Sequence, residues 1–211
     1  MLDEPARVRL HKPPPLGRRL LARRVDASVE VLDGDEVVLT AEPRDGLDVR
    51  LPTIDLTAAR ATSASTAALD RHPTPSCVVC GPGRADGFGL FPGALRPGLV
   101  ATAWVVPAIG CEAGESVPAP IVWAALDCPG GWSLEGCGTD FFPALISQSV
   151  EIMRPVRAGA EVVVLGWETG REERRLTACA AILGLDGEPL AVCRQTCLAM
   201  PATWAGTHRG P

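Results

Sequence analysis

The chain has 211 residues, 46% of them hydrophobic and 21% charged, so it has the means to bury a core as one large or two small domains. A net charge of −5 gives no basis for nucleic-acid binding, and no apolar run approaches the roughly 18 residues that a membrane span needs. The N-terminus shows no basic start followed by an apolar core, so the expectation is a cytoplasmic protein whose eight cysteines are reduced thiols.

Residues 1–24 carry Arg7, Arg9, Lys12, Arg18, Arg19, Arg23 and Arg24. The cluster reads as a solvated strand face or as a clamp for phosphates. Residues 7–11 alternate and predict a short strand, broken by Pro13, Pro14 and Pro15. Residues 20–32 and 36–42 predict two strands joined by Asp33, Gly34 and Asp35, because Asp-Gly accepts positive φ. Residues 55–70 predict a helix capped by Asp55, with an alanine-rich stripe weak enough for a surface connector. Arg71, His72 and Pro73 end it. The predicted units are an N-terminal strand unit with connector helix at 1–72, a domain at 73–200, and a polar, frayed tail at 201–211.

Cys77-Val78-Val79-Cys80 is half of a zinc site or a redox pair. Zinc takes four ligands, and no second CxxC or His pair follows. Cys111, Cys128 or Cys137 would have to arrive through the tertiary fold. The expectation is no metal and no cofactor, with the two cysteines packing a loop. Residues 87–92 and 99–106 predict short strands.

Residues 117–135 organise the rest. Pro118 and Pro120 suit a first helical turn, where a missing N–H costs nothing. Residues 121–126 form an unbroken apolar run, the mark of a buried helix, and it ends in the single acid Asp127. A carboxylate on such a helix is costly to ionise unless something answers it. The helix is expected to kink or end at Pro129, Gly130 and Gly131. Residues 144–156, 161–167, 174–183 and 190–200 then predict four strands, with turns at 155–159, at Gly170 and at Asp186-Gly187. Sequential antiparallel pairing is the default for them. Residues 7–17 also parallel 149–159: each strand runs into proline, then glycine, then a hairpin with Asp-Gly. The first copy has no helix ahead of it.

A helix followed by a four-stranded antiparallel meander that wraps it is the layout of the hotdog fold. Residues 121–127, with Trp132 five residues on, resemble the helix of small acyl-CoA thioesterases of the phenylacetate-pathway type. The cysteine segment 77–82, residues 90–93 and residues 123–132 together resemble an actinobacterial thioesterase-like hotdog family whose longer members are tandem hotdogs. The resemblance covers roughly residues 5–200.

It implies an α+β hotdog with an incomplete N-terminal repeat, acting on acyl-CoA or an acyl-carrier thioester, with no nucleic-acid or membrane partner. A homo-oligomer is expected, since a hotdog sheet continues across a partner and an incomplete repeat leaves edges to pair. The implied catalytic carboxylate is Asp127. Gly130, Gly131, Trp123 and Trp132 are implied around the substrate. The thioesterases resembled carry His-Gly-Gly at the helix start, where a glycine N–H polarises the thioester carbonyl. Here residues 117–120 stand in that place, and only the N–H of Ala119 or Ile121 is free of proline. Other readings stay open. Asp127 is alternatively a structural acid anchored by backbone amides near Gly130 and Gly131, and Trp123 and Trp132 are alternatively core. The whole is alternatively a non-catalytic acyl-binding or interaction module. Hydroxyacyl dehydration would pair a histidine with the acid, and His11, His72 and His208 have no evident partner in the sequence.

Overall fold

Residues 162–167 are apolar or glycine without a break, and the architecture shows why: both sides of the strand are covered. The computed structural model describes residues 4–204. Its elements in chain order are β1 (Ala6–Leu10), β2 (Leu21–Val25), β3 (Ser28–Asp33), β4 (Glu36–Pro43), α1 (Leu56–Ala61), α2 (Thr66–Asp70), β5 (Gly93–Arg96) and β6 (Leu99–Val105). Then follow α3 (Ala119–Ser133), β7 (Phe141–Ile152), β8 (Glu161–Glu172), β9 (Arg175–Leu183) and β10 (Pro189–Pro201). All strands join one 10-stranded antiparallel sheet in the order β2-β3-β4-β1-β7-β10-β9-β8-β6-β5.

Strand side chains alternate between faces. On one face, Val162, Val164, Ala180 and Ile182 pack against Val122, Ala125 and Leu126 of α3. On the other, Val163, Leu165, Ala181 and Leu183 pack under Leu47, Val49, Leu51 and Leu56. This is a hotdog: a central helix wrapped by an antiparallel sheet, with the sheet's far face closed by the segment ahead of α1.

The internal repeat has a structural meaning. β1-β4-β3-β2 runs outward in the same way as β7-β10-β9-β8, and the two sets meet where β1 pairs antiparallel with β7. Arg7 lies directly opposite Ser149, the residue it matches in the repeat, so a local twofold passes through that pair.

Several elements differ from the sequence expectation. Residues 20–32 are a hairpin, β2 with β3, turning at Asp26, whose φ of 52° an aspartate tolerates. The helix expected over 55–70 splits in two. Asp55 caps α1 as predicted, but the Thr62 hydroxyl donates to Ala58 O and Ser65 caps a new start by accepting from Ala68 N. Nor is α1 a mere surface connector: Ala59 is fully buried against the sheet, and Arg60 pairs with Glu161 at 2.7 Å. Residues 87–92 are not a strand; Phe88 and Leu90 donate to Val78 O and Val79 O of the cysteine loop, and Gly89 turns with φ 65°. β7 pairs with β10 and β1, not with β8, so residues 153–160 cross over instead of turning tightly. Gly170 lies at a bulge inside β8, and the β8–β9 turn sits at Glu173, φ 50°. Of the tail, residues 205–211 lie outside the described residues.

Candidate functional site

α3 carries the candidate acid, and the sheet beneath it decides how the helix lies. Pro118 is the N-cap, and the Ile121 N–H donates back to Pro118 O at 2.9 Å. Pro129 removes the amide that Ala125 O would meet, yet the helix continues to Ser133. Two buried glutamines, opposite each other on β7 and β10, hold this stretch. Gln148 Nε2 donates to Trp123 O at 2.9 Å. Gln195 Nε2 donates to Asp127 O at 2.9 Å and to Leu126 O at 3.3 Å. The approach is close enough to require two glycines. A side chain at Gly166 on β8 would run into Pro129 O, and one at Gly130 would run into Gln195 Oε1.

Asp127 is half-buried, and its Oδ1 accepts from Gln195 Nε2 at 3.3 Å. Burial first, and then negative charge at Cys77, pushes its carboxyl up to about 6. It lines a cavity of about 890 Å³ between the second half of α3, the start of β7, the Pro13-Pro14 segment and the cysteine loop. The walls are largely apolar: Leu10, Leu16, Phe142, Ile146, Met200 and Trp204. The Phe142 and Trp204 rings lie 5.4 Å apart.

Among the residues singled out from sequence, the structure gathers Asp127, Gly131 and Trp132 on this cavity. Trp132 Nε1 donates to Cys80 Sγ at 3.4 Å, and its ring lies 4.9 Å from that of His72. The others lie elsewhere. Ala119 is buried in the first helical turn, Ile121 and Trp123 pack against the central core, and Gly130 sits under Gln195. Of the basic residues near the N-terminus, Arg7, Lys12, Arg18 and Arg23 pair with Glu42, Glu36, Asp33 and Glu30, which makes that part of the cluster a cross-strand ionic face.

Sequence reasoning passed over Gln148 and Gln195. A signal existed for the second: in β10 the inward positions read Cys193, Gln195, Cys197, all buried, so the period of two places an amide among core residues. It also passed over the meeting of Cys128 with the CxxC. Cys77 Sγ lies 3.7 Å from Cys128 Sγ, and the sulfurs of Cys77, Cys80 and Cys128 all lie within 4.8 Å of one another. Hydrogen bonds from the Cys128 thiol, then the Cys80 thiol, hold Cys77 far below the usual thiol range, with the N–H groups of Cys80 and Val79 adding to them. The Cys128 thiol pulls Cys80 down, but its bond to Cys77 and its burial prevail and carry it up to about 12. Cys128 is raised by its bonds to Cys77 and Cys80 and by burial.

No protein-family model and no curated protein sequence matches the chain. Solved structures do. A TesB protein of Mycobacterium avium subspecies paratuberculosis is similar over 94% of this chain and 79% of its own, at 11% identity and a TM-score of 0.54. The Escherichia coli PaaI protein from the phenylacetic acid degradation operon is similar over 54% of this chain and 80% of its own, at 12% identity and a TM-score of 0.48. A Streptococcus mutans protein bound to acetyl-CoA is similar over 52% of this chain and 87% of its own, at 11% identity and a TM-score of 0.46. The first of these likenesses spans both repeats and shows the fold.

Proposed function

We propose that this chain takes an acyl thioester, carried by coenzyme A or an acyl carrier, into the cavity beside Asp127 and hydrolyses it. The observation that carries the reading is one carboxylate on the central helix of a hotdog, lining an apolar cavity and held by the Gln195 amide. Its volume, about 890 Å³, falls within the roughly 300–1,000 Å³ of small-molecule sites. The chemistry needs few parts. Asp127 takes a proton from a water, and the water oxygen bonds to the thioester carbonyl carbon. The C=O electron pair moves to oxygen and returns as the C–S bond breaks. The departing thiolate takes the proton from Asp127, leaving a carboxylic acid and a free thiol. Gln195 fixes the carboxylate while its amide also ties the helix to the sheet.

A second reading, a non-catalytic acyl-binding or interaction module, is favoured by one feature. The helix start, where the resemblance would put the oxyanion donor, is proline-flanked, and Ala119 and Ile121 are not among the residues that line the cavity. Thiol release measured over a panel of aliphatic and aromatic acyl-CoA substrates separates the two: hydrolysis expects turnover on at least one, whereas binding without turnover on all of them selects the module.

The same reading extends to assembly and organisation. Residues 1–72 are an incomplete hotdog-like unit with its connector, 73–200 the hotdog domain and 201–211 a tail, in a cytoplasmic homo-oligomer. The support for assembly is the edge strand β2, exposed at every residue, with Leu21 63% exposed. Among the described residues no helix is long and apolar enough to cross a membrane.

A further inference from the structure

We propose that Cys77, Cys80 and Cys128 bind one zinc ion, with the fourth coordination position facing the cavity that Asp127 lines. The sequence offers a lone CxxC; the fold adds a third sulfur from the middle of α3, 51 residues away from Cys77. At a Zn–S length of about 2.3 Å, two sulfurs of a tetrahedral site lie about 3.8 Å apart. Cys77 and Cys128 stand at 3.7 Å, and Cys80 lies within 4.8 Å of both. Three protein ligands and an open fourth position is the pattern of a zinc site that keeps a water or takes a substrate atom. All three cysteines line the large cavity, so that fourth position has access.

The surroundings are those of a built site. Metal-bound sulfurs are held by outer hydrogen bonds, and one is in place: Trp132 Nε1 donates to Cys80 Sγ at 3.4 Å. The loop is wound tightly enough to demand glycine. A Cβ at Gly81 would meet Cys77 N and O and Pro75 O at 2.5 Å, and one at Gly87 would meet Val78 O at 2.8 Å. Those are backbone contacts that no rotamer change relieves. His72, 8% exposed, lines a small cavity with Cys80 and Trp132, and its Nε2 is buried without a hydrogen-bond partner. Zinc binding releases the protons of the thiols and draws the three thiolates around one dication.

The test uses the full chain and does not depend on turnover. The reduced protein is stripped with chelator, reloaded with zinc and desalted, and its metal is measured. The expected result is one zinc per chain, and a cobalt-loaded sample with sulfur-to-cobalt charge transfer and the visible bands of a tetrahedral ion. Cys80→Ser and Cys128→Ser should retain almost none, while Cys111→Ser, outside the cluster, should retain one. Circular dichroism shows which variants are folded. A folded wild-type chain that emerges without zinc would overturn the proposal even if a variant fails to fold. So would a Cys128→Ser chain that binds as the wild type does, or a Cys77–Cys80 disulfide that resists the reductant used.

Discussion

The two meanders of this chain share a connectivity and differ in what covers them. β1 to β4 and β7 to β10 unroll in the same order from a common seam, yet β2 is exposed throughout, whereas its counterpart β8 buries six consecutive residues from Val162 to Trp167. The second meander has α3 on one face and residues 47–61 on the other; the described part of the first has no helix of its own ahead of β1. The connector that follows the first meander crosses to close the second. The cavity forms where the two meet, with walls from the Pro13-Pro14 segment and an acid from α3. The first meander thus serves as a wall and a sheet partner, while the core collects around α3.

The largest expected effect lies on the helix side of this comparison. Leu126 is fully buried between α3 and the sheet, so Leu126→Ala should cost about 2–5 kcal/mol in denaturant unfolding. If it costs less than the exposed-strand substitution below, the helix is not the organising element. Next is Gly166→Ala, which places a methyl against Pro129 O. Overpacking of this kind costs about 1–3 kcal/mol, and it should lower the melting temperature without changing the denaturant slope. Smaller again is Gln195→Leu. It keeps the volume but leaves the carbonyls of Leu126 and Asp127 without their extra donor, at roughly 1–2 kcal/mol by the usual cost of unmet buried groups. The least effect is expected in the uncovered meander, where Leu21→Ala, measured by chemical denaturation at a concentration low enough to dissociate any assembly, should stay within about 0.5 kcal/mol of wild type.

Much of this architecture was legible because it rests on local patterns. Asp55 announced its cap, Asp186-Gly187 its turn, and the apolar run from Ile121 a buried helix. The repeat between 7–17 and 149–159 marked one unit used twice, but nothing in it said that the two copies pair with each other, as Arg7 and Ser149 do at the seam. What escaped rests on contacts between distant segments. The pairing of β7 with β10 is decided by the sheet closing around α3, which no turn signal records. Glu173 turns with positive φ where Gly170 was the expected marker, and Asp26 turns with positive φ inside a stretch expected to be one strand. In the site, Asp127 and Trp132 were visible as an acid and an aromatic five residues apart. Gln195 and Cys128 became meaningful only when β10 and the cysteine loop were laid against the helix.

The most direct measurement is turnover and melting temperature on one substitution, Asp127→Asn, which keeps the volume and removes the charge. If Asp127 is the base that activates water, thiol release should fall by about 10²–10⁴-fold while the melting temperature stays close to that of the wild type. Wild-type turnover in a folded Asp127→Asn chain would contradict the account.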